Sequence, residues 1–79
     1  MITEQQVLLA IEEALDLERG SLIAESSTEN VENWDSLGQI SILTALDQMF
    51  DGKIAEIHDM AEAESIEKIL SLLKSNSLI

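Results

Sequence analysis

Few residues in this sequence could do chemistry, and they do not add up to a catalytic set. A nucleophile needs a base within hydrogen-bond reach, and hydrolysis by other routes needs tuned carboxylates or a metal. Cysteine is absent, which removes thiolate catalysis, thiolate metal sites and a disulfide framework together. His58 is the single histidine, and its acidic neighbours Glu56 and Asp59 could orient it as a base. Nothing in the sequence brings His58 to Ser36, so a hydrolase built on that pair is the weaker reading. Glu56, His58, Asp59 and Glu62 could hold a divalent ion loosely. A structural metal is not expected, because Asp51-Gly52-Lys53 lacks the alternating oxygen ligands of a calcium loop. There is no glycine-rich phosphate loop either. The remaining carboxylates scatter over outer faces, as solvated surfaces do.

The elements that must position these residues are helical. Thr3-Glu4-Gln5-Gln6 fits a capping box, in which Thr3 and Gln6 satisfy each other's free amides. Val7, Leu8, Ile11, Ala14 and Leu15 then recur on one arc, with Glu12, Glu13 and Asp16 off it. The pattern predicts a first helix over residues 3–17, stopped by Arg19-Gly20. Between residues 21 and 34 the period dissolves into Ser26, Ser27, Thr28, Asn30 and Asn33, a loop long enough to suggest function. Leu22, Ile23, Val31 and Trp34 are expected to pin that loop to the core, Trp34 by packing. Asp35-Ser36 opens a second helix that runs to Phe50 and ends at Asp51-Gly52. At about 100° per residue, Ile40, Ile42, Leu43, Leu46, Met49 and Phe50 share one half of it, while Leu37 lies opposite Leu46. Residues 54–60 predict an extended link with one or two helical turns. Ser65 then caps a last helix with Ile66, Ile69, Leu70 and Leu73 on one face, and residues beyond Lys74 are expected to fray. The expectation is an all-α bundle of three main helices, one short third helix and a long first loop, in one domain over residues 1–79.

The charge narrows the partners. Sixteen acidic residues against four basic ones give a formal net charge of −12 in 79 residues. Nucleic acid and anionic lipid surfaces repel such a chain, whereas a basic protein surface attracts it from a distance. The longest apolar run, Val7 to Ile11, is far too short for a membrane span, so stable membrane insertion is not expected. Met1-Ile2-Thr3-Glu4 lacks the basic start of a signal peptide. A cytoplasmic monomer is the expectation.

One stretch carries more information than its parts. Trp34-Asp35-Ser36-Leu37-Gly38-Gln39-Ile40-Ser41-Ile42-Leu43 follows a capped helix and a long loop, and precedes Ala45-Leu46-Asp47 and Phe50. In this setting it resembles the prosthetic-group site of acyl carrier proteins, and the resemblance extends over almost the whole chain. What it implies is a small four-helix bundle of the acyl-carrier type whose Ser36 receives 4′-phosphopantetheine from coenzyme A, with Asp35 and Leu37 completing the site. It implies a carrier of acyl thioesters, not an enzyme. The partners implied are a phosphopantetheinyl transferase and acyl-transferring or acyl-activating enzymes with basic or apolar docking patches. A phosphodiester on Ser36 would sit at a helix start, where free amides and the helix dipole favour an anion. Its hydroxyl would need no internal base, since a separate transferase modifies it. Leu37 reads as an exposed apolar contact for docking enzymes. Ile40, Leu43, Leu46 and Ile54 are the implied lining for a tethered acyl chain. Ser65 also starts a helix but lacks the long-loop setting, and is read as a cap.

The chain departs from the family's fatty-acid members in one respect. Their second helix has a conspicuously acidic outer face, whereas here Gly38, Ser41, Thr44 and Gln48 take outward positions and leave Asp35, Asp47 and Asp51 as its charges. That points to a specialised lipid, polyketide or surface-glycan pathway. Peptidyl carriers usually place glycines before the serine, where this chain has Asn33-Trp34-Asp35. An acyl cargo therefore leads; an aminoacyl or peptidyl carrier and an unmodified helical interaction domain stay open as alternatives. The charge generates its own prediction. At −12, like charges repel in the folded chain and spread apart on unfolding. Magnesium or moderate salt should therefore raise the melting temperature followed by circular dichroism, and a melting temperature indifferent to both would contradict this.

Overall fold

In the computed structural model, which describes residues 2–79, Thr3 and Gln6 make the reciprocal exchange that their spacing implies. The Thr3 N–H donates to Gln6 Oε1 at 2.8 Å, and the Gln6 N–H donates to Thr3 Oγ1 at 3.2 Å. The helix so started, α1, spans Glu4–Ala14 and stops short of Leu17. Asp16 is the reason: it turns left-handed at φ 57°, and the Leu17 N–H closes onto the Glu12 carbonyl at 2.8 Å. The expected stop at Arg19-Gly20 lies out in the loop instead. The other two α-helices end in the same kind of turn. In α2, Ser36–Met49, Asp51 and, as expected, Gly52 are both left-handed, and the Gly52 N–H reaches the Asp47 carbonyl. In α3, Ile66–Ser75, the left-handed residue is Ser77, and the Leu78 N–H reaches the Leu73 carbonyl at 2.9 Å. The end of the chain is therefore tied rather than frayed: Leu78 and Ile79 lie half-buried against the core.

Between α2 and α3 the expected link with one or two helical turns takes the form of two 3₁₀ turns, Lys53–Glu56 and His58–Glu62, in place of a single short helix. Ile57 separates them in an extended conformation. The apolar period explains the choice. Ile54, Ile57, Met60 and Ala63 recur every third residue, which matches the three residues per turn of a 3₁₀ helix better than the 3.6 of an α-helix. Ile54, Met60 and Ala63 are buried as a result.

One core joins all of these elements. Val7, Ile11 and Leu15 meet Ile42, Leu46 and Phe50 of α2, Ile66, Ile69 and Leu73 of α3, and Ile54 and Met60 of the 3₁₀ turns. The fold is all-α, and among the described residues the only extended pairing is an isolated bridge between Ser27 and Ser65. Residues 15–35, which connect α1 to α2, are fastened to the bundle instead of forming helix. The Thr28 N–H donates to the Glu64 carbonyl at 3.0 Å, and the Ile66 N–H donates to the Ser26 carbonyl at 2.9 Å. Asn33 Nδ2 donates to the Leu15 carbonyl at 2.9 Å. Glu12, placed outward by the helical pattern, is only 2% exposed because its Oε2 accepts the Leu22 N–H at 3.0 Å. Leu22 and Trp34 are buried and Val31 half-buried, as expected, but Ile23 is 57% exposed and does not pin the loop.

Gly38 is a second correction to the outward set: it is buried, not exposed. A Cβ there would collide with the Asn33 carbonyl and stand 2.8 Å from Leu15 Cδ2. The loop backbone thus lies directly on the first turn of α2. Gly38→Ala should lower stability by about 1–3 kcal/mol through overpacking, although alanine is the better helix former by about 1 kcal/mol. Ser41→Ala, on the exposed side of the same helix, should stay within about 0.5 kcal/mol. Urea unfolding separates the two, and a Gly38→Ala protein as stable as its parent would rule out the close approach.

Candidate functional site

Asp35 and Ser36 divide the work of starting α2. Asp35 is the N-cap, its Oδ1 accepting the Gly38 N–H at 2.8 Å, and Ser36 is the first helical residue. The cap role that a serine commonly plays is thereby taken by its neighbour. The Ser36 side chain is exposed and, among the described residues, its hydroxyl has no hydrogen-bond partner. The backbone N–H groups of Ser36 and Leu37 are likewise unpaired, so the helix start presents free donors beside the hydroxyl. Ser65 is the contrasting case. It caps α3, with its Oγ accepting the Lys68 N–H at 3.1 Å, and is half-buried. Of the two serines at helix starts, only Ser36 has a free hydroxyl.

Leu37 is 75% exposed, as its place opposite Leu46 implied. Ile40 is 60% exposed, which overturns its place on the inward half of the helix. The buried arc of α2 is Gly38, Ile42, Leu46 and Phe50, at steps of four. Contact with the loop draws that arc toward Gly38 and leaves Ile40 outside it. Leu37 and Ile40, three apart, consequently form an exposed apolar pair one turn long. Ser41, Thr44 and Gln48 are exposed on the same helix and add no charge.

Of the grooves that flank this helix, two bear on the site. One, of about 400 Å³, is lined by Ser36 itself with Thr28, Trp34, Asp35, Gln39 and Glu64. The other, of about 430 Å³, is more apolar, with Leu43, Ile54, Ile57 and Met60 as its walls and Thr44, Asp47 and His58 as its polar lining. Of the four residues implied as a lining for an acyl chain, Leu43 and Ile54 face this second groove. Leu46 is fully buried in the core, and Ile40 lies in neither groove. His58 belongs to the second groove and Ser36 to the first, and no hydrogen bond joins them among the described residues. Glu56, His58, Asp59 and Glu62 do not converge, since no group of three or more such side chains among the described residues is placed to hold a metal ion.

Gln39 is the residue that reading the sequence missed. It falls on the apolar arc of α2, between the directions of Leu46 and Phe50, and a polar residue there is the signal that could have found it. Trp34, 2% exposed, donates its Nε1–H to Gln39 Oε1 at 2.6 Å. Gln39 Nε2 in turn donates to the Ala63 carbonyl at 3.0 Å, with those of Ala61 and Met60 at 3.3 and 3.4 Å. Indole can only donate, so the amide orientation is determined by the chemistry of its partners.

A scan of protein-family models and searches of curated proteins and of solved structures returned no match to this chain. No helix among the described residues is long and apolar enough to cross a membrane.

The exposure pattern of α2 predicts how truncations will divide. Leu37→Ala and Ile40→Ala should each change unfolding free energy by less than about 0.5 kcal/mol. Ile42→Ala, which empties a fully buried position, should cost about 2–5 kcal/mol. Denaturant unfolding of the three variants measures this, and a loss at Leu37 or Ile40 comparable to that at Ile42 would return those residues to the core.

Proposed function

We propose that this chain is an acyl carrier protein of the helical-bundle type, with Ser36 bearing a 4′-phosphopantetheine arm. The observation that carries the reading is the exposed Ser36 hydroxyl at the capped start of α2, which among the described residues has no hydrogen-bond partner and so no base engaged with it. A catalytic serine needs such a base, whereas a serine modified by another enzyme does not. In the modification, Ser36 Oγ would attack the phosphorus of coenzyme A that bears the pantetheine. A phosphodiester forms, adenosine 3′,5′-bisphosphate leaves, and the Ser36 proton passes to the transferase's base. The unpaired N–H groups of Ser36 and Leu37 would then face the new anion. Asp35 holds the helix start that presents them, and Leu37 with Ile40 gives partner enzymes an apolar contact beside it. Once attached, the arm supplies a thiol that holds acyl groups as thioesters.

The neutral outer face of α2 supports a specialised lipid, polyketide or surface-glycan pathway over bulk fatty-acid synthesis. Partners that grip by charge find Ser41, Thr44 and Gln48 there, and rim charge chiefly governs encounter rate. In this reading the protein works as a cytoplasmic monomer among transferases and acyl-activating enzymes. Incubation with coenzyme A and a broad-specificity phosphopantetheinyl transferase should add one arm by intact mass, and Ser36→Ala should abolish the addition while Ser65→Ala should not. Labelling that survives Ser36→Ala would falsify the assignment.

A further inference from the structure

Ser36, Gln39, Leu43 and Asp47 lie in one line along α2, because steps of three and four residues return to the same side of a helix. The first two line the groove beside the serine, and the last two line the apolar groove beyond it. Ala61, on the second 3₁₀ turn, borders both. Gln39 therefore stands between Ser36 and Leu43, which are about 10 Å apart along the helix axis. Its amide reaches from α2 to the carbonyls of Met60, Ala61 and Ala63, so it spans the place where the grooves meet. An amide has two N–H bonds for three carbonyls, and two of the three distances are long. That side of the bridge is the weaker one, while the bond from Trp34 at 2.6 Å is short.

We infer that Gln39 is a latch between the two grooves and sets which acyl chains stay beside Ser36 and which pass inward. This rests on Ser36 being the attachment point. A short cargo fits within the groove formed by Thr28, Trp34, Asp35, Gln39 and Glu64, whose lining is more polar than that of the second groove. A longer aliphatic chain gains burial only at Leu43, Ile54, Ile57 and Met60, and to reach them it must displace the Gln39 amide from the three carbonyls. Gln39 is thus a specificity-determining residue for cargo length, acting through the second 3₁₀ turn.

The test uses the chain loaded at Ser36 by the transferase from acetyl-coenzyme A or octanoyl-coenzyme A. Gln39→Glu keeps an oxygen for the Trp34 indole and removes the donors to the carbonyls. In the parent, octanoyl and acetyl thioesters should react with hydroxylamine at similar rates, and the Leu43 and Ile54 methyl resonances should not distinguish the two cargoes. In Gln39→Glu one lost neutral hydrogen bond should raise the inward population about fivefold from a small starting value, so the octanoyl thioester alone should become up to about twofold slower, and those methyls should move. Should Gln39→Glu unfold, Gln39→Asn carries the same comparison, since its shorter amide cannot span both partners. A parent protein that already shelters octanoate against Leu43 and Ile54, or a folded variant that behaves as the parent does, overturns the latch alone. A chain that accepts no arm at Ser36 overturns the carrier reading with it.

Discussion

Everything around Ser36 depends on one constraint: residues 15–35 must be held on the bundle without a helix or sheet of their own. Their backbone groups find partners in other elements. Glu64 and Ile66 at the entry to α3, Glu12 inside α1 and Leu15 at its end each supply or receive one bond. The Asn33 carbonyl then sits on the first turn of α2 so closely that only glycine fits at position 38. That contact places Asp35 to cap the helix and leaves Ser36 at its exposed first turn. The position of the hydroxyl is thus a consequence of how the long connection is fastened, and the same fastening turns Ile40 outward.

The energetic division of α2 follows from this arrangement. Its inner side contributes Ile42, Leu46 and Phe50 to the core, and its outer side carries apolar Leu37 and Ile40 among uncharged neighbours. An exposed apolar pair adds little to stability and, in a chain of net charge −12, sits on a face of α2 where Ser41, Thr44 and Gln48 carry no charge. In the proposed carrier reading, the general negative field would speed approach of a basic partner and the apolar pair would govern residence. Bulk charge and local contact thereby act on different steps of association.

Much of the fold was legible because it is local. The Thr3 capping box, the Ser65 cap and the buried positions of α1 and α3 are all set by residues within a turn of one another. The rest depends on contacts far apart in the chain. Glu12 reads as a surface residue until Leu22 is brought above it, and Gly38 reads as an outward residue until Asn33 packs on it. Asp16 shows no local sign of ending α1, since glycine is the usual left-handed residue and Gly20 lies close by. The 3₁₀ turns were written in the threefold spacing of Ile54, Ile57, Met60 and Ala63, a period easily taken for a short α-helix. At the site, Asp35 caps α2, Ser36 begins it and Leu37 is exposed, as the helical pattern implied, while Ile40 turns outward against that pattern and half-buried Gln39, on the apolar arc, engages Trp34 and the Ala63 carbonyl.

The most direct measurement is made on the chain as its own cells produce it. Purified without reducing or nucleophilic agents, it can be weighed intact before and after hydroxylamine treatment, and fragmented to locate any added mass. The carrier reading predicts a phosphopantetheine increment on Ser36, accompanied in part of the sample by an acyl increment that hydroxylamine removes. Recovery of only the unmodified chain, or of an increment at any other residue, would contradict it.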